Sequence, residues 1–153
     1  WEARMAEHEE QATRDAALRG KLLYIEDDPV NVLVVRGMLA PFAHVTLIHA
    51  DNGKRGVELA QQERPDLVLL DMNLPDIGGL EVVRRLNREI AEQGLRVSIL
   101  TGDSLNMDII KAMSLGAYEY WVKPLDHQVF VEGLRRALSG SRADPLRAFS
   151  RRS

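Results

Sequence analysis

Three consecutive acids, Glu26, Asp27 and Asp28, follow the apolar run KLLYI. Adjacent carboxylates repel, and a carboxylate beside a core is costly unless a donor or a cation pairs with it. A further acid, Asp71, ends the run LVLL; Thr101 ends VSIL, and Lys123 follows YEYWV. If these ends share one edge, acids, a hydroxyl and an ammonium converge from distant parts of the chain. Hard carboxylate oxygens without a nearby His or Cys suit Mg²⁺ or Mn²⁺, which takes one or two protein carboxylates and keeps waters. Such a cation relieves the repulsion among Glu26, Asp27 and Asp71 and draws in a phosphate. Lys123 supplies a point charge for phosphate oxygens and Thr101 a hydroxyl donor. An aspartate is a nucleophile toward phosphorus, and phosphoryl transfer needs mainly in-line positioning and charge neutralisation. Asp71 is the candidate acceptor because it follows the most central strand and opens the loop MNLPDIGG.

The elements that must position these residues alternate. Strand-like runs at 21–26, 44–49, 66–71, 96–101 and 118–122 are separated by helical stretches at about 29–40, 53–63, 79–93, 105–115 and 126–139. This is the signature of βα units and a parallel sheet. The unbroken apolar runs at 22–25 and 67–70 fit central strands covered on both faces. Right-handed crossovers point all strands the same way, so their carboxyl ends gather where open α/β sheets bind ligands. Asp28 before Pro29 reads as an N-cap and first-turn proline, which leaves Glu26 and Asp27 to the site. On the helices, Leu80, Val83, Leu86 and Ile90, and then Val129, Phe130, Leu134 and Leu138, recur at core-facing spacing. Met107, Ile110 and Met113 share a face and read as core.

The 153 residues suit one domain with extra sequence at its ends. Residues 1–20 read as a linker or stalk helix, 21–139 as the domain, and 140–153 as a tail. A net charge of −3 and only four arginines in the tail argue against a nucleic-acid binder. No run is long enough to cross a membrane, and with neither cysteine nor a signal-like N-terminus the expected setting is cytoplasmic.

The separated motifs LLYIEDD, DLVLLDMNLPDIGGLEV, ILTGD and GAYEYWVKP occur in an order that resembles the receiver domains of bacterial response regulators, over roughly 21–139. The resemblance implies a doubly wound, flavodoxin-like five-stranded parallel sheet of order 2-1-3-4-5 with helices on both faces. It implies Asp71 as phosphoacceptor, Asp27 as a direct Mg²⁺ ligand, Glu26 acting largely through water, and the Asn73 carbonyl as a further ligand. Thr101 and Lys123 become phosphoryl contacts, Tyr120 the aromatic that turns inward on activation, and the Lys123–Pro124 bond is expected to be cis. Asn73 and Asp103 fall where the family tunes loss of the phosphate to water, and a polar amide with an acid predicts a short-lived phosphate.

The resemblance further implies a signalling phosphoacceptor rather than a turnover enzyme, fed by a histidine kinase or phosphotransfer protein. It would switch the face made by 105–115, 118–122 and 126–139, which also serves homodimers. Tyr118, Trp121 and 109–115 are expected to present that face. Trp121 is bulkier than the family usually has, and Gly78 stands before Gly79 where many members carry aspartate. Opening on Trp1 with a charged lead-in and no room for an output domain, the sequence is expected to be the C-terminal receiver of a hybrid sensor kinase, or else a stand-alone regulator.

Other readings remain beside this one. A Mg²⁺-dependent phosphohydrolase with an aspartyl nucleophile typically carries a second acid two residues on, where this chain has Asn73. A flavin or nucleotide binder wants a glycine-rich loop, not acids, after the first strand. A degenerate receiver used only for docking would lack part of the acidic and basic set. Thr101 has a second reading as the cap of the helix beginning near Ser104.

Overall fold

A computed structural model describes residues 1–102 and 105–139. After a lead-in helix α1 (Glu2–Ala17), five strands alternate with helices: β1 (Arg19–Ile25), α2 (Pro29–Met38), β2 (His44–Ala50), α3 (Gly53–Glu63), β3 (Leu67–Asp71), α4 (Gly79–Arg85), α5 (Asn87–Gln93), β4 (Val97–Thr101), α6 (Met107–Ser114), β5 (Glu119–Val122) and α7 (His127–Leu138). All strand pairs are parallel and the order is β2-β1-β3-β4-β5, as expected. Residues 22–25 of β1 and every residue of β3 are buried, so the apolar runs read correctly as central strands.

Strand alternation divides the core in two. Leu23, Ile25, Val68, Leu70, Val97 and Ile99 face α3 to α6, meeting Val57, Val83, Leu86 and Ile90. Leu22, Tyr24, Leu67, Leu69 and Leu100 face α2 and α7, meeting Val32, Val35, Phe130 and Leu134. Truncating one of these fully buried leucines, such as Leu69, to alanine costs about 2–5 kcal/mol.

Several elements depart from the sequence reading. β1 starts at Arg19, because Arg19 and Gly20 pair with His44 and Val45. The stretch 79–93 is interrupted at Leu86, which leaves the helical region (φ −97°, ψ 9°) while its N–H is shared between the Val82 and Val83 carbonyls. α6 buries Ile109 and Ala112, whereas Met107 and Ile110 are exposed. The segment MDIIKAMS is apolar on two faces, and the sheet takes the other one. Val129 on α7 is likewise exposed, and Val131 is buried instead. Trp121 is buried against α7, where Gly133 leaves room for its ring: a Cβ there would lie 2.8 Å from the indole. Neither Trp121 nor the buried Tyr118 presents a surface, contrary to expectation.

α1 attaches through its last turn. Asp15, only 5% exposed, receives Nε and Nη2 of Arg135 on α7 at 3.0 and 2.9 Å, and Gln11 Nε2 at 2.8 Å. Leu18 then packs on the α2/α7 side of the core. No helix among the described residues is long and apolar enough to cross a membrane.

Candidate functional site

The carboxyl ends of β1, β3, β4 and the segment after β5 meet at one edge of the sheet. Asp71, 2% exposed, ends β3 between β1 and β4. Its Oδ1 accepts the Asn73 N–H at 3.1 Å and lies 3.3 Å from Lys123 Nζ. Glu26, Asp27 and Asp71 each offer a carboxylate oxygen within 4.8 Å of the others. This all-oxygen acidic set fits Mg²⁺ or Mn²⁺, because hard oxygen donors without imidazole or thiolate select such ions.

The three acids that open the site are not equivalent. Asp28 is the expected N-cap of α2: its Oδ1 accepts the Val30 N–H at 2.9 Å, with Pro29 in the first turn. Asp27 is exposed, and one of its carboxylate oxygens belongs to the three-acid cluster. Glu26 is 1% exposed and satisfied from within the protein. Its Oε1 accepts from Tyr24 Oη at 3.1 Å and Asn31 Nδ2 at 2.8 Å; its Oε2 accepts the N–H groups of Asp27 at 3.0 Å and Asp28 at 3.4 Å. Lys123 Nζ stands 3.9 Å from Glu26 Oε1, further than from Asp71. Burial, followed by the field of the Glu26 carboxylate, pushes the Tyr24 phenol well above its ordinary range, so it remains a donor at any working pH.

Thr101 is buried at the end of β4, and its carbonyl accepts the Lys123 N–H at 2.7 Å. The strand ends carrying the hydroxyl and the ammonium are thus tied together. The helix after β4 is capped by Asn106, whose Oδ1 accepts the Ile109 N–H at 3.0 Å, while the segment near Ser104 for which Thr101 was read as a cap lies outside the described residues. Tyr120 is partly buried and packs on the α3-to-α6 side of the core. Lys123–Pro124 is cis, as expected. Asp103 lies outside the described residues.

The loop after Asp71 is held at two points. Gly79 N–H donates to the Met72 carbonyl at 3.1 Å, and a Cβ on Gly79 would come within 2.8 Å of Met72 Cα, so glycine permits the close return. Gly78, the departure noted in the sequence, has open space around it. Asp76 reaches across to α3: its Oδ1 and Oδ2 accept the N–H groups of Gly53 at 2.7 Å and Lys54 at 2.8 Å. Desolvation raises the Asp76 carboxyl, but the Lys54, Gly53 and Ile77 N–H groups outweigh it and bring its pKa to about 2.

Sequence reasoning missed Tyr24, Asn31 and Asp76. A tyrosine inside an otherwise aliphatic central strand was a usable signal, since a buried phenol seeks a partner. Asp76 gave none, because its partner is the start of a helix more than twenty residues upstream.

Comparisons with known proteins bear on the family and the fold. The family model for the response regulator receiver domain matches residues 22–135. The chain is 31% identical over 120 residues to Protein PilH of Pseudomonas aeruginosa, covering 78% of this chain and 98% of PilH. It is 32% identical over 120 residues to the nitrate/nitrite response regulator protein NarL of Escherichia coli K12, but there it spans only 55% of the relative. Among solved structures, the receiver domain of a sensor histidine kinase from Pseudomonas aeruginosa PAO1, with a magnesium ion coordinated in its active site cleft, matches with TM-score 0.68 and 25% identity, over 80% of this chain and 99% of that one. A CheY-like receiver domain protein from Methanospirillum hungatei JF-1 matches in fold with TM-score 0.70 at 22% identity, over 80% and 94%.

Proposed function

Because the chain belongs to the response regulator receiver domain family, we propose that it is the phosphoacceptor of a two-component phosphorelay, taking a phosphoryl group onto Asp71 from a histidine kinase or phosphotransfer protein. The observation that carries this reading is the buried Asp71 carboxylate, with Lys123 Nζ at 3.3 Å on one side and Glu26 and Asp27 oxygens within 4.8 Å. Asp27, Asp71 and the Asn73 carbonyl would hold Mg²⁺ or Mn²⁺, with Glu26 acting through water, and the cation would supply charge neutralisation for the transferring phosphoryl group.

An Asp71 oxygen attacks phosphorus as the bond from phosphorus to the donor imidazole nitrogen breaks, and that nitrogen keeps the electron pair. Lys123 follows the incoming oxygens away from Asp71, and Thr101 offers them its hydroxyl. Movement of Thr101 opens space that Tyr120 enters, and the added charge biases an existing two-state equilibrium. The face that changes is made by α6, β5 and α7. Its exposed apolar residues Leu105, Met107, Ile110, Val122 and Val129 fit an output or homodimer contact. A pocket of about 430 Å³ beside Lys123, lined also by Tyr24, Asn31, Val34, Val35, Leu100 and Pro124, and the exposed Val30 and Leu33 on α2 offer a surface suited to the phosphoryl donor.

In this reading residues 21–139 are the receiver, 1–20 a lead-in and 140–153 a tail, acting in the cytoplasm. The domain performs self-phosphorylation and autodephosphorylation only. The parent is a hybrid sensor kinase or a stand-alone regulator. Incubation with acetyl phosphate and Mg²⁺ should label the wild-type chain and leave Asp71→Asn unlabelled; equal incorporation in the two rules out Asp71 as acceptor.

A further inference from the structure

Glu26 Oε1 has no lone pair to spare. It accepts Tyr24 Oη at 3.1 Å and Asn31 Nδ2 at 2.8 Å, which fills its two acceptor sites, whereas Oε2 accepts the Asp27 N–H at 3.0 Å and only a long contact of 3.4 Å from the Asp28 N–H, so it keeps room for a water toward the cation. The two backbone donors come with the turn itself. The two side-chain donors are a choice of sequence: Tyr24 is fully buried in β1, and Asn31 sits in the first turn of α2. Both serve the oxygen nearest Lys123, whose ammonium stands 3.9 Å from Oε1 yet 3.3 Å from Asp71 Oδ1.

We infer that Tyr24 and Asn31 are positioning residues for the phosphoryl-transfer site: by filling Glu26 Oε1 they keep Lys123 with Asp71 and keep the Glu26 charge facing the cation. This deepens the proposed function and rests on it. Without the phenol hydroxyl, Oε1 has a vacant lone pair next to a lysine within reach. A buried carboxylate recovers lost hydrogen bonding from the nearest donor, so Glu26 and Lys123 close into a direct pair. That pair withdraws negative charge from the cation and a positive charge from the incoming phosphoryl oxygens.

The test is a titration of Mg²⁺ by calorimetry, alongside labelling by acetyl phosphate, in wild type, Tyr24→Phe, Asn31→Ala, Lys123→Ala and the pair Tyr24→Phe/Lys123→Ala. Tyr24→Phe is expected to weaken Mg²⁺ binding about 3- to 10-fold and to slow labelling, with Asn31→Ala acting in the same direction. In the Lys123→Ala background the effect of Tyr24→Phe on Mg²⁺ affinity should disappear, because the residue that captures Glu26 is gone. A general packing defect at Tyr24 would persist in that background, and that result overturns the inference. So does wild-type Mg²⁺ affinity in both single variants at positions 24 and 31. If the wild-type chain itself binds no Mg²⁺, the phosphoacceptor reading fails, and this inference falls with it.

Discussion

Removing Arg135 should cost more stability than removing its partner Asp15. Asp15 is 5% exposed, and Arg135 meets it with two charge-assisted hydrogen bonds. Stripping the cation from a buried ion pair costs about 3–5 kcal/mol, because the remaining charge has neither partner nor water. Here Gln11 still donates to Asp15 Oδ1, and the Arg135 side chain is 34% exposed, so water reaches the vacated side. Those two factors reduce the loss in Arg135→Met to about 2 kcal/mol. Asp15→Ala removes the buried charge as well as the bonds and should cost about 1 kcal/mol. For a chain of this size 1 kcal/mol corresponds to about 3 °C in Tm, giving losses of about 6 °C and about 3 °C.

The pH dependence has a definite sign. Hydrogen bonding from Arg135 leads the effects that hold the Asp15 carboxyl below its ordinary value of 3.8. A depressed folded pKa contributes stability that is complete above the unfolded value and fades as pH falls through the folded one. The gap between wild type and Arg135→Met should therefore be constant from neutral pH down to about 5 and narrow below about 4. Urea unfolding followed by circular dichroism across that range measures it. Equal stability of the two variants, or a gap that does not narrow in acid, would refute the buried-pair account of how α1 is attached.

Asp76→Ala should loosen the loop after Asp71 by releasing the start of α3, at a cost of about 1 kcal/mol, with faster amide exchange at Gly53 and Lys54 as the direct readout. Retained protection at both amides would remove Asp76 from that role. If Asn73 and Asp103 tune loss of the phosphate to water as the resemblance implies, phosphate on Asp71 should be short-lived in Mg²⁺ buffer; a phosphoprotein persisting for many hours contradicts it.

The strand order and the gathering of Glu26, Asp27, Asp71, Thr101 and Lys123 were legible because each follows an apolar run. Parallel strands then place the ends of such runs at one edge. Side-chain partnerships within that edge were not legible. Whether Glu26 faces solvent, cation or protein depends on a phenol two residues earlier and an amide five residues later, and spacing alone does not choose. Trp121 was misread for a related reason: its bulk suggested an outward ring, but the cleft that receives it exists only because Gly133, on another element, lacks a side chain. On α6 both helical faces are apolar, so periodicity offered two answers and packing selected one.

The single-turn attachment of α1 gives the molecule a lever. The helix extends about 20 Å from the Asp15 fulcrum to its far tip at Glu2. If α7 pivots by about 5° when the acceptor is charged, the clasp at Arg135 obliges the rod to follow, and its tip sweeps about 2 Å. A displacement too slight to notice at the hinge thus becomes large enough to make or break a van der Waals contact at Trp1.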